Sequence, residues 1–127
     1  MEKKIINSEC APKAVGPYSQ AVAYNGLVYT SGTMPLVPET GEVADGGIEG
    51  QARQALNNLG AVLKEAGSSF GNVLKTTVFI KNMNDFAVVN SIYAEYFKTD
   101  CPSRSCVEVA RLPKDVLFEI ECIAICK

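Results

Sequence analysis

The chain has 127 residues, 47% of them hydrophobic and 20% charged, which suits one domain with a packed core and is too balanced for a disordered tail. A formal net charge of −2, with the twelve basic residues scattered, argues against nucleic acid as the main partner. Histidine is absent, which excludes the Ser-His-Asp triad, the Cys-His pair and every His-based metal site.

From the N-terminus, "MEKKIINSE" shows no apolar core of signal-peptide type, and no later run approaches the length of a membrane span. The odd set Cys10, Cys101, Cys106, Cys122 and Cys126 therefore reads as reduced thiols of a cytoplasmic protein. Cys122 and Cys126 would lie about 13 Å apart on a strand, too far to share a metal, and no metal site is expected. No linker or low-complexity stretch divides the chain, which is read as a single domain over residues 1–127.

"GPYSQAVAYNGLVYTSG" (16–32) reads as two strands around Asn25-Gly26, a dipeptide suited to the positive φ of a tight hairpin turn. "MPLVPETGEVADGG" (34–47), rich in Pro and Gly, reads as loop. In 48–67, Ile48, Ala52, Ala55, Leu56, Leu59, Leu63 and Ala66 share one helical face, and Gly67 supplies a stop. The β-branched run 72–82 predicts a strand with Leu74, Thr76, Val78 and Ile80 on one face and Lys75 and Lys81 on the other. Residues 84–97 predict a second helix, with Asn84 as N-cap and a stripe of Phe86, Val89, Ile92, Tyr93, Tyr96 and Phe97. Pro102 forces extended chain, and 105–110 and 116–126 are the last strands.

This order predicts an α+β fold, a mixed β-sheet with two helices on one face. Along 118–126, Phe118, Ile120, Cys122, Ala124 and Cys126 are assigned to the helices. The opposite face carries Glu119, Glu121, Ile123 and Ile125, too apolar at its end for a solvated surface. It implies a homo-oligomer that packs sheet faces together.

Arg104 stands in "CPSRSCVEV" (101–109), with Cys106 about 6.6 Å away on the same strand face. Val107 and Val109 are assigned to the helices, which would put Arg104 on the face of Glu119. There Arg104, facing the inferred partner copy, is either held in an ion pair, with a carboxylate of that partner or with Glu119 or Glu121, or kept as a fork for a substrate carboxylate. Cys106 reads as a packed thiol rather than a nucleophile, since no base is at hand. Glu119 is either a salt-bridged carboxylate or, if buried, one whose raised pKa suits proton transfer. Tyr18 could cap a pocket or simply pack, and Ser31-Gly32 offers a hydroxyl and a close-approaching N–H.

Together "GPYSQA" (16–21), "YTSG" (29–32), "QARQALNNL" (51–59), "KTTVFIKNMNDFAVVN" (75–90), "PSRSCVEVARLPKD" (102–115) and "FEIECIA" (118–124) resemble the RidA (YjgF) family of reactive-intermediate deaminases over nearly the whole chain. The resemblance implies a chorismate-mutase-like fold and a homotrimer with a central barrel and sites at the subunit clefts. It implies hydrolysis of 2-imino acids (2-iminobutanoate, 2-iminopropanoate) and their enamine tautomers to 2-oxo acids and ammonia. These intermediates escape from pyridoxal-phosphate enzymes, and their removal is protective. Neither a metal nor an organic cofactor is implied. By the same resemblance Arg104 binds the carboxylate, Glu119 serves the attacking water, and Tyr18, Ser31, Gly32, Asn90 and the Cys106 backbone line the site. Cys101 departs from the phenylalanine that many relatives carry before this proline, which bears on pocket shape near Arg104. Two rival expectations are a non-catalytic trimeric binder or sensor of small carboxylates and a holdase chaperone.

Overall fold

The computed structural model describes residues 2–127 and shows one six-stranded mixed sheet with two helices on one face. The strands are β1 (Lys4–Ile6), β2 (Ala21–Tyr24), β3 (Leu27–Thr30), β4 (Val73–Ile80), β5 (Ser103–Glu108) and β6 (Phe118–Ile125). They lie in the order β1-β2-β3-β6-β4-β5, antiparallel throughout except for the parallel pair β4 and β5. A parallel pair needs a crossover, and the helix α2 (Phe86–Tyr96) supplies it. The other helix, α1 (Gly47–Glu65), precedes β4.

The local signals explain the boundaries. Asn25 and Gly26 have φ of 51° and 82°, so both central residues of the hairpin are left-handed, as its tight turn requires. Helix α1 ends in a Schellman motif: Gly67 (φ 75°) donates its N–H to the Lys64 carbonyl, and Ser68 donates to Leu63. Two expectations need correction. Leu74 is 46% exposed, because a bulge between Val73 and Lys75 breaks the alternation and gives its core place to Val73. Asn82, not Asn84, caps the second helical segment. Its Oδ1 accepts from the Asn84 N–H, and a short 3₁₀ turn, Met83–Asp85, leads into α2. β1 was not anticipated, since "KII" is too short to show alternation.

The core lies between sheet and helices. Phe118, Ile120 and Ala124 of β6, Val78 and Ile80 of β4, and Leu56, Leu59 and Leu63 of α1 are fully buried. Each large apolar side chain buried in this way contributes about 1.5–3 kcal/mol. The other sheet face is uncovered in the single chain. Tyr29 (45% exposed), Ile125 (48%) and Val107 (42%) stand on it with Ile123 and Phe79.

Candidate functional site

Sheet register decides where the polar side chains point. Residues paired across neighbouring strands share a face. Arg104 pairs with Thr76, and Thr76 with Cys122, which is buried beneath the helices. Arg104 and Cys106 therefore do share a face, as their spacing predicts, but it is the helix face. Val107 pairs with Phe79, and Phe79 with Glu119, so these lie on the uncovered face. The expectation that Arg104 and Glu119 share a face is thus overturned, as is the assignment of Val107 to the helices. The apolar character of Val107 and Val109 suggested core. β5 is an edge strand, however, and its outward positions can be apolar when they meet another molecule rather than water.

Around Arg104, α2 provides the surroundings. Its guanidinium carbon lies 4.8 Å from the centroid of the Tyr93 ring and 5.5 Å from that of Phe86. Asn90 lies between those two rings on the same helical stripe, at the i+4 and i−3 spacing that brings side chains onto one face. Among the described residues no carboxylate pairs with Arg104; the ion pairs found involve Arg53 and Arg111. The reading of Arg104 as a structural ion pair with Glu119 or Glu121 is excluded within the chain. The Cys106 thiol is raised in pKa by burial, only partly opposed by Arg104, and stays protonated, consistent with a packed thiol.

Glu119 belongs to a second cluster. The segment after β3 runs beside β6, fixed by reciprocal backbone bonds between Thr33 and Ile120 of 2.7 and 3.1 Å. This lays Gly32 under the Glu119 carboxyl. A Cβ at Gly32 would sit 2.8 Å from Glu119 Cδ and closer still to Oε2, so any larger residue would push the carboxyl out of this position. Glu119 Oε1 is buried and has no hydrogen-bond partner among the described residues. Burial first, and the charge of Glu121 second, push this carboxyl above the ordinary range.

The Glu119 carboxyl faces a cavity of about 500 Å³. Tyr18, Ser31, Gly32 and Lys114 line it with apolar Val15 and Met34. Tyr18 Oη accepts from the Val15 N–H at 3.2 Å, closing the loop that forms one wall. The Ser31 hydroxyl donates to the Ser19 carbonyl at 2.6 Å, so it can meet a ligand only as an acceptor. At the rim, Lys114 and Asp115 hold φ of 57° and 55°, sparsely populated values for residues with side chains.

Seven expected site residues thus form two groups: Tyr18, Ser31, Gly32 and Glu119 at the cavity, and Asn90 of α2 with Arg104 and Cys106 on the strand face that α2 covers. The sequence reading missed the residues that hold these groups in place. Asn58, on the buried face of α1, donates from Nδ2 to the carbonyls of Met34 (3.0 Å) and Leu36 (2.8 Å) and pins the cavity floor. Gln20 donates from Nε2 to the carbonyls of Ser8 (3.1 Å) and Pro12 (2.8 Å), tying down the cavity's N-terminal wall. A polar residue on an otherwise apolar stripe was the available signal for Asn58.

Comparison with known proteins agrees with this architecture. The family described as endoribonuclease L-PSP matches residues 8–126. A RutC family protein of Synechocystis is 58% identical, with 98% of each chain covered. The chloroplastic reactive intermediate deaminase A of Arabidopsis thaliana is 45% identical, covering 98% of this chain and 66% of its own. Among solved structures, Escherichia coli TdcF with bound serine superposes with a TM-score of 0.92 at 47% identity, covering 98% of this chain and 99% of that one.

Proposed function

The chain belongs to the RidA (YjgF) family, matched by the endoribonuclease L-PSP description, and on that premise we propose that it hydrolyses small 2-imino acids and their enamine tautomers to 2-oxo acids and ammonia. We place the reaction between two copies of the chain, with Arg104 from one and Glu119 from the other. The observation that carries this reading is the separation of an unpaired guanidinium and an unpartnered carboxyl onto opposite faces of one sheet. A small substrate within one chain cannot touch both. A second copy whose β5 edge carries Arg104 to the uncovered face of the first would bring the two halves together, and the apolar Tyr29, Ile123 and Ile125 give that face a surface to pack on. The homotrimer that the family resemblance implies would supply such a second copy.

The chemistry follows from the two groups. The Arg104 fork holds the substrate carboxylate by two parallel hydrogen bonds, and the Gly32 N–H approaches the same molecule. Glu119 takes a proton from a water as its oxygen attacks the C=N carbon, and the C=N electron pair moves to nitrogen. Glu119 returns that proton to the nitrogen, giving a carbinolamine; it then takes the hydroxyl proton and passes it to the same nitrogen as the oxygen lone pair forms C=O, the C–N bond breaks and ammonia leaves. One imine and one water give one 2-oxo acid and one ammonia. Imines also hydrolyse unaided, so positioning plus one base, worth more than about a hundredfold, is sufficient. Capture of serine by the similar E. coli protein supports an amino-acid-like ligand. The nuclease in the family description finds less support in a chain with no histidine and a net charge of −2.

The test generates 2-iminobutanoate with a dehydratase and traps the surviving imine with semicarbazide. Wild type is expected to accelerate imine loss, and Arg104→Ala to lose that acceleration while keeping its assembly. Full activity in Arg104→Ala would defeat the reading. A binder without turnover would instead hold carboxylates and leave imine decay unchanged.

A further inference from the structure

An arginine reserved for a ligand poses a physical problem. Its side chain is long, and lost rotamer freedom weakens any fork that is not held in place. A carboxylate partner would hold it but would occupy the N–H groups the ligand needs. We propose that Phe86 and Tyr93 solve this as a two-ring cradle: they are positioning residues that aim Arg104 at a carboxylate without neutralising it.

The geometry supports each part. Both rings lie within about 6 Å of the guanidinium carbon, the range in which a ring face attracts a cation. A ring attracts the cation without accepting its N–H groups as a carboxylate would, and among the described residues no ion pair involves Arg104, which leaves its fork for a carboxylate ligand. Phe86 and Tyr93 are seven residues apart, two helical turns, so one rigid helix sets their separation. Tyr93 is itself fixed from two sides. Its hydroxyl shares a buried 2.8 Å hydrogen bond with Thr76, the residue paired with Arg104 across the β4–β5 register. Its ring packs against Phe97 at 4.4 Å between centroids. Burial raises the Tyr93 phenol, outweighing the lowering by Thr76 and Arg104, so the ring stays neutral beside the cation. Helix, sheet register and aromatic packing therefore converge on one guanidinium.

This inference rests on Arg104 as the carboxylate clamp, and the experiment separates the two. Imine turnover is measured for Tyr93→Leu, Phe86→Leu and Tyr93→Phe, alone and in the Arg104→Ala background, with binding of 2-oxobutanoate measured by calorimetry. The leucine variants are expected to raise KM and weaken 2-oxobutanoate binding by about tenfold each, with kcat within about twofold of wild type. Tyr93→Phe keeps the ring and is expected to rescue affinity while losing thermal stability through the Thr76 bond. In the Arg104→Ala background the leucine substitutions are expected to add nothing to the loss of 2-oxobutanoate binding. Unchanged KM and binding in a folded Phe86→Leu or Tyr93→Leu would overturn the cradle and leave the clamp standing. So would a fall in kcat at constant KM, the sign of a merely structural role. If Tyr93→Leu does not fold, Phe86→Leu against Tyr93→Phe decides. Unchanged binding in Arg104→Ala itself would remove the clamp, and the cradle with it.

Discussion

Arg104 and Glu119 point to opposite faces of one β-sheet, Arg104 beneath α2 and Glu119 over Gly32 on the uncovered side. Neither has an ionic partner among the described residues. Leaving a carboxyl oxygen buried and unpaired costs stability, and such groups cluster at functional sites.

The pH dependence of Glu119 has a definite sign. Its folded pKa is raised by burial and by Glu121, so the folded state holds the proton more tightly than the unfolded state. Stability is then lost as pH rises from the ordinary glutamate value through the folded one. Glu119→Gln, which stays neutral, is expected to melt above wild type at neutral pH, with the gap closing below the ordinary glutamate pKa. Turnover needs the ionised base, so kcat is expected to rise with pH through a midpoint above the ordinary carboxylate range. Glu119→Gln is expected to lose the acceleration by about a hundredfold or more while still binding 2-oxobutanoate. Melting curves and pH–rate profiles of the two proteins check both points.

Gly32 is needed for space rather than for backbone freedom. A methyl group there would enter the Glu119 carboxyl, which must turn away. Gly32→Ala is expected to lower kcat by about a hundredfold, the cost of a misplaced base. Steady-state kinetics check this, and near-wild-type kcat would show that the carboxyl does not work from its position over residue 32.

Asn58 is expected to link stability and activity. Asn58→Ala frees a buried carbonyl at Leu36 and a part-buried one at Met34, and is expected to cost about 1–3 kcal/mol. Because those carbonyls belong to the cavity floor, kcat/KM is expected to fall even in protein that remains folded. Denaturant unfolding and kinetics on the same preparation check the pairing.

The sequence carried the elements well because their signals are local: Asn25-Gly26 sets its own turn, the α1 stripe sets its own face, and Gly67 stops its own helix. It also identified the outer face of β6, since Ile123 and Ile125 break the polar alternation within a single strand. What it misjudged depends on relations between distant strands. The face on which Arg104 sits is set by its pairing with Thr76, twenty-eight positions earlier, and no pattern within β5 reveals that parity. A bulge at Val73/Lys75 likewise moves Leu74 outward without changing the composition of the run. The aromatic cradle was hidden for the opposite reason: Phe86 and Tyr93 fit an ordinary apolar stripe, and only the packed structure shows a cation against them.

The most direct test of a site shared between copies is complementation. Arg104→Ala and Glu119→Gln, each inactive alone, are unfolded, mixed in equal amounts, refolded together and assayed for imine loss. If each site takes Arg104 from one copy and Glu119 from another, random assembly restores about a quarter of the wild-type sites, and activity is expected to return to about that level. Mixed assemblies that form but remain as inactive as either parent would contradict the account.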